Sequence, residues 1–197
     1  MASNPMNSDF KNYRDIFEAD HFEGQEHTSA VPVIGSQSET WKSWMIRGTE
    51  ANRFYNQFVS SVLAGPFNRT AMLRALQDLV NMHQALRMTF NAEGENMVCG
   101  ELISDINYQD LSSQSPAEQQ LFMKRHQKLT VLKPFDLEKG PLFKVSLFKL
   151  NNGEQYMTFV AHPIICDERY IAIMMKDLVN LYSDYAPNGM VPNAPMQ

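Results

Sequence analysis

One short stretch, FVAHPIICDERY at residues 159–170, holds the residue types on which acyl-transfer chemistry depends. An apolar run ends at His162, and Asp167 follows five residues later at the start of a helical pattern. An imidazole can act as a general base when it lies within hydrogen-bond reach of a nucleophile. An aspartate at the start of a helix is equally typical of a simple N-cap. The stretch therefore predicts either the remains of a catalytic site or a structural turn.

The other residues with reactive side chains favour structural roles. His83 falls on the apolar stripe of an amphipathic helix, so we interpret it as a core residue. Cys99 and Cys166 have apolar neighbours, and two cysteines in a chain of this size predict neither a disulfide framework nor a metal site. We interpret both as small buried side chains. Met174 and Met175 lie on another helical stripe, and we expect core packing first and a partner surface second.

Composition excludes several classes of protein. The 197 residues include 44% hydrophobic and 20% charged residues, which is typical of a globular domain. The net charge of −5 argues against a nucleic-acid surface, which requires a clustered basic face. No apolar run reaches about 18 residues and the N-terminus lacks a basic-then-apolar order, so we expect no membrane partner and no signal peptide. Together with the cysteine content, this indicates a reducing, cytoplasmic location.

Hydrophobic periodicity predicts an α+β domain with helices packed on a mixed sheet. The strands are predicted at residues 54–65, 87–91, 96–103, 142–150 and 155–161, with an Asn-Gly turn joining the last two into a hairpin. The helices are predicted at residues 36–45, 69–84, 116–132 and 167–185.

Polar stretches flank this pattern at both ends. Residues 1–30 are predicted to be a flexible lead-in or a docking segment, within which residues 9–22 have the pattern of a short helix. Residues 31–186 form the predicted domain. The proline-containing residues 187–197 are predicted to be an irregular tail.

Several fragments occur in the order and spacing of the motifs of a known family. They are Gln37 and Trp41 followed by Tyr55 and Asn56, His83 to Arg87 followed by Thr89 and Phe90, FDLEKGPLFK at residues 135–144, and AHPIICDERY at residues 161–170. Through these motifs, residues 33–185 resemble the N-terminal lobe of a nonribosomal peptide synthetase condensation domain.

The resemblance implies a chloramphenicol-acetyltransferase-like lobe with a mixed, mainly antiparallel sheet. Domains of this family have two lobes with the active site in the channel between them, whereas this chain ends soon after its His-containing motif. The implied partners are a carrier protein, a neighbouring synthetase or polyketide synthase subunit, a second lobe, or another copy of the chain. We expect no cofactor and no metal, since phosphopantetheine would enter only as the arm of a carrier protein.

The family's His-His-x-x-x-Asp-Gly motif is altered here at two positions. Counting back four residues from Asp167 places Pro163 where the family has its catalytic second histidine, so His162 corresponds to the first. Proline has no titratable group and no N–H to donate. Because neighbouring residues of a strand point to opposite faces, His162 is predicted to point away from the catalytic position. Glu168 replaces the family's glycine and adds a carboxylate where an acyl chain would pass.

Asp167 has two compatible structural interpretations. It is predicted to cap the last helix. The resemblance also implies a structural ion pair between Asp167 and Arg87. If that pair is buried, removal of Arg87 should cost about 3–5 kcal/mol of folding free energy.

Three functions remain open from the sequence. The first is a truncated, catalytically inactive condensation-like domain that binds a partner, because a lone lobe would expose an apolar channel face. The second is a small acyltransferase with an active site between the subunits of an oligomer, in which His162 would be recruited as the base. The third is a segment of a larger synthetase, in which Pro163 would still leave the domain without its usual base.

Overall fold

The fold is seen in a computed structural model, which describes residues 27–31, 39–43, 45–46, 56–91, 96–99, 106–186 and 191–192. Several predictions from the sequence fall outside these described residues. They concern residues 1–26 of the lead-in, Gln37 and Tyr55 of the family-like motifs, and most of the tail.

Within the described residues the strands form two sheets. The strands are β1 (His27–Val31), β2 (Gln57–Ala64), β3 (Met88–Phe90), β4 (Asn96–Cys99), β5 (Asn107–Asp110), β6 (Phe143–Lys149), β7 (Gln155–Ala161) and β8 (Val191–Pro192). The larger sheet has the order β5-β6-β7-β2-β8, and the smaller has the order β1-β4-β3. β5 runs parallel to β6, while the other paired strands are antiparallel. The prediction of a mixed, mainly antiparallel sheet is confirmed.

The long helices each begin at a side-chain cap. They are α1 (Arg69–Met82), α2 (Pro116–Leu132) and α3 (Glu168–Tyr185). Asn68, Ser115 and Asp167 are their N-caps, and each accepts a hydrogen bond from a backbone N–H three residues ahead. Residues 39–43 and 45–46 are also helical, within the short helix predicted there or next to its end. None of the helices in the described parts of the chain is long and apolar enough to cross a membrane.

Helix α1 ends two residues earlier than its apolar pattern predicts. His83 has extended backbone dihedral angles (φ −100°, ψ 94°), and a 3₁₀ turn (Gln84–Arg87) follows it before β3 begins. The side chain of His83 nevertheless stays buried. Periodicity therefore identified a buried position correctly and extended the helix through it wrongly.

β1 lies where the sequence predicts no strand, so the prediction of a flexible lead-in is wrong at residues 27–30. Two further short strands are also unpredicted. β5 has the polar sequence NYQD and pairs with the apolar strand β6. β8 pairs with Leu63 and Ala64 of β2, so the prediction of an irregular tail is wrong at residues 191–192. Both strands form because a longer strand offers them backbone hydrogen-bonding partners, and neither has an apolar alternation of its own.

The larger sheet separates two apolar clusters. Phe143, Val145 and Leu147 of β6 belong to the main core, which also contains the buried residues of α1 and α3. Phe148 belongs to a second cluster and contacts Phe122 of α2, with ring centroids 5.3 Å apart. Because successive side chains of a strand point to opposite faces, α2 lies on the other side of the sheet from α1 and α3.

Candidate functional site

The turn between β7 and α3 contains the altered motif. The backbone N–H of His162 donates to the carbonyl of Leu142 at 2.9 Å, and the N–H of Ile165 donates to the carbonyl of His162 at 3.1 Å. Ile164, Ile165 and Cys166 are buried. The turn is therefore held by hydrogen bonds at its start and by apolar packing along its length.

The ring of His162 is an internal part of this turn. The side chain is 3% exposed, and its Nδ1 accepts the N–H of Ile164 at 3.2 Å, which assigns the ring proton to Nε2. The ring of Phe135 meets it edge to face, with centroids 6.3 Å apart. Burial lowers the pKa of His162 to about 4. The imidazole is thus a weak base whose unprotonated nitrogen is already hydrogen-bonded.

The other motif residues lie at the entrance to α3. Pro163 is half-buried in the turn, while Asp167 and Glu168 are exposed. Asp167 Oδ1 accepts the N–H of Tyr170 at 2.7 Å, so the predicted N-cap is confirmed. Glu168 occupies the first turn of α3, where a negative charge interacts favourably with the helix dipole.

The predicted ion pair between Arg87 and Asp167 would contribute less to folding stability than expected from the sequence. Arg87 is half-buried, and its Nε donates to the carbonyl of Val80 at 3.2 Å. Because the Asp167 side chain is exposed, a buried pair is excluded for it. A pairing of the two stays a prediction, and as a surface pair it would contribute about 0–1 kcal/mol.

Other residues of the family-like motifs lie within the core. Trp41 stacks on Phe90, with ring centroids 6.2 Å apart. The Asn56 amide donates to the carbonyls of Val131 and Lys133 at 2.9 and 3.0 Å, and so satisfies backbone acceptors at the end of α2. The contacts of Trp41 and Asn56 stabilise the fold.

Sequence reasoning missed a polar cluster around His83. Its Nδ1 lies 2.8 Å from the hydroxyl of Tyr170, and its Nε2 lies 3.0 Å from Oδ2 of Asp177. Burial, and then Cys166 and Asp177, raise the pKa of Tyr170, so the phenol keeps its proton and donates it to Nδ1. Asp177 then accepts from Nε2. The cluster joins the end of α1 to two positions of α3 that are about two helical turns apart.

Cys166, the cysteine of this turn, has an unreactive thiol. Burial, and then the charge of Asp167, raise the pKa of Cys166 to about 12, so its thiol stays protonated. Its predicted burial is confirmed. Among the described residues, no group of three or more His, Cys, Asp and Glu side chains is arranged to hold a metal ion.

Comparison with known proteins gives consistent matches. A family model described as "Condensation domain" matches residues 31–197. Chondramide synthase of Chondromyces crocatus is 26% identical over 171 residues, covering 84% of this chain and 4% of the synthase. Tyrocidine synthase 2 of Brevibacillus parabrevis is 30% identical over 157 residues, covering 80% of this chain and 4% of the synthase. The chain thus spans a small fraction of the length of these relatives.

Solved structures show the same fold. The starter condensation domain of rhizomide synthetase superposes with a TM-score of 0.72 at 20% identity, covering 82% of this chain and 39% of that one. A four-domain nonribosomal peptide synthetase bound to AMP and glycine superposes with a TM-score of 0.67 at 17% identity, covering 84% of this chain and 12% of that one.

We expect His83→Ala to lower the free energy of unfolding by at least about 2 kcal/mol, because it leaves both Tyr170 and Asp177 without their partner. Urea unfolding followed by circular dichroism measures this. A double-mutant cycle with Tyr170→Phe should give a coupling energy of about 1 kcal/mol. Asp184→Ala, at an exposed position of the same helix, is the control and should change little. A near-zero coupling energy would contradict the cluster.

Stability should fall as the pH drops from about 6.5 to about 4. Burial lowers the pKa of both His162 and His126 to about 4, below the ordinary value of 6.5. The unfolded chain therefore binds more protons in this window, and each histidine should cost roughly 3 kcal/mol by its lower end.

The measurement is the free energy of unfolding between pH 4.5 and 7. His162→Gln or His126→Leu should each reduce its slope by up to about 1.4 kcal/mol per pH unit. Hydrogen bonds from Ser112 and then from Lys149 lower the pKa of Asp110 to about 2, so Asp110→Asn should leave the slope above pH 5 unchanged. If neither variant changes the pH dependence of the free energy of unfolding, its assignment to these two histidines is wrong.

Proposed function

Since the chain belongs to the condensation-domain family, we propose that it is a catalytically inactive condensation-like lobe of a nonribosomal peptide or polyketide assembly line, serving protein–protein interaction. The observation that carries the proposal is the turn after β7. Where the family's catalytic histidine is expected stands Pro163, and the adjacent His162 is 3% exposed.

The chemistry of the turn supports the loss of catalysis. Acyl transfer requires a base with an available lone pair beside the nucleophile, and such a base typically contributes 10²–10⁴-fold to the rate. The Nδ1 of His162 already accepts a hydrogen bond, and the pKa of the ring is lowered to about 4. Pro163 has no group that exchanges a proton. Neither residue supplies the base.

The coverage of the solved domains supports an interaction role. The matched region is 39% of the rhizomide starter domain chain, so a complete fold of that kind includes a further part, whether in the same polypeptide or in a partner. The described lobe also has large apolar side chains exposed: Met45, Ile46, Met82 and Ile173 are between 52% and 84% accessible. A contiguous exposed apolar patch marks an interaction site, and we propose that these side chains contribute to one.

The proposed partner is a carrier protein, a neighbouring synthetase or synthase subunit, or a second lobe that completes the channel. Phosphopantetheine takes part only as the arm of such a carrier, and the lobe itself holds no cofactor. A cytoplasmic location belongs to the same proposal.

The test of inactivity is an assay with aminoacyl N-acetylcysteamine thioesters as donor and acceptor, in which dipeptide formation is measured by mass spectrometry. We expect the chain to match the buffer rate, because it lacks the base. A two-lobed condensation domain is the positive control. His162→Ala should not change the result. Turnover that His162→Ala abolishes would replace this proposal with an acyltransferase whose site lies between subunits, and turnover that appears only in Pro163→His would attribute the loss to the proline.

The interaction role predicts association. Light scattering after size exclusion should give a mass above 22.6 kDa for the chain alone or for the chain mixed with an excised carrier domain or a separately produced second lobe of a condensation domain. Ile173→Lys, on the exposed side of α3, should weaken that association, while Lys176→Ala is a matched exposed control. A strict monomer at high concentration in all three experiments would reject the role.

A further inference from the structure

Helix α2 has apolar side chains on both of its faces. Its inner side packs on the sheet through Phe122 and Met123, beside the buried Gln119, His126 and Thr130. On the opposite side Leu121 is 67% exposed, and Leu129, between the two sides, is 44% exposed. The outer face of a surface helix normally carries charged and polar side chains. The leucines of the outer side therefore require an explanation.

Cationic side chains occupy the same outer side. Seven residues make almost two helical turns, so Leu121 and Lys128 lie above one another, with Lys124 and Leu132 on adjacent positions. A shallow, open depression of about 350 Å³ lies on this side. Among the described residues its lining is Lys124, Gln127, Lys128, Val131 and Leu132. We call Leu121 together with this lining the α2 outward face.

The charge of this region is opposite to that of the chain as a whole. Residues 119–133 contain four lysine or arginine residues and no acidic residue, in a chain of net charge −5. Nearby carboxylates have other partners. Glu118 accepts from the backbone and hydroxyl of Ser115, and Asp110 pairs with Lys149 at 2.9 Å. The α2 outward face thus favours an acidic, apolar occupant.

The N-terminal segment of the same chain has the complementary composition. Residues 1–26 contain six acidic and two basic residues, a net charge of −4. Phe10, Tyr13 and Phe17 are spaced three and four residues apart, a pattern that aligns apolar side chains on one face of a helix. We propose that residues 9–17 bind the α2 outward face of their own chain, with the aromatic side chains against the leucines and the carboxylates at Lys124 and Lys128, and that residues 18–26 connect them to β1.

The connection is long enough. The segment joins the described structure at His27, the start of β1, and β1 pairs with β4, which pairs with β3. Phe90 of β3 donates to the carbonyl of Leu137, five residues beyond the end of α2. Two strand spacings are about 10 Å. Residues 18–26, which connect Phe17 to β1, can extend to about 30 Å, so the aromatic side chains can reach the C-terminal end of the α2 outward face.

This inference is independent of the proposed function, and zero-length cross-linking of the full chain tests it. A carbodiimide joins a carboxylate to an amine only at direct contact. We expect cross-links from Asp15, Glu18 and their acidic neighbours to Lys124 and Lys128 rather than to the exposed Lys139 and Lys176. The yield of these cross-links should fall about tenfold in the double variant Phe10→Ala/Phe17→Ala, because it removes apolar contacts and keeps every carboxylate and amine. Phe22→Ala, which lies off that face, should change them little.

Equal mixing of ¹⁴N- and ¹⁵N-labelled chains identifies the source of each cross-link. Isotopically pure cross-links that weaken in 1 M salt support binding within one chain, since salt screens exposed charges. Mixed-isotope cross-links would show that the occupant is a second copy and would overturn the proposal. Cross-links spread evenly over all four lysines, or none to α2, would also overturn it.

Discussion

The fold depends on a central strand that has no solvent-facing side. All seven residues of β7 are buried, between the main core and the cluster beneath α2. A chain that leaves such a strand must satisfy its backbone polar groups within the protein. The turn does so through hydrogen bonds of His162 to Leu142 and Ile165, and the imidazole accepts the N–H of Ile164. His162 therefore has a structural role in the turn that follows β7.

How much could be predicted from the sequence depended on whether the determining contacts are local. The bounds of α2 and β7 were predicted to the residue, because capping and apolar patterning act within a few positions. β5 was missed, since its pairing with β6 joins positions 39 residues apart. The motif located Pro163 and Asp167. The cluster of His83 with Tyr170 and Asp177 was not predicted, because both partners lie on α3, 87 and 94 residues away along the chain.

Under the proposed function, a condensation-domain fold is retained here although its catalytic position has changed. The motif residues that pack, such as Trp41 on Phe90 and Asn56 at the end of α2, retain structural contacts that do not depend on chemistry. Pro163 lies at the position that the resemblance assigns to the catalytic histidine. Folds host functions through particular sites, so preservation of the scaffold and loss of the site are separable events. The scaffold can then be retained for the surfaces that it displays.

Burial of Cys166 has a practical consequence for the dynamics of this junction. Only the thiolate reacts with electrophiles, and both enclosure and a pKa near 12 suppress it in the closed turn. A maleimide can therefore alkylate Cys166 only when the turn between β7 and α3 opens transiently. The labelling rate of Cys166 therefore reports how often this turn opens. Peptide mapping separates it from the labelling of Cys99.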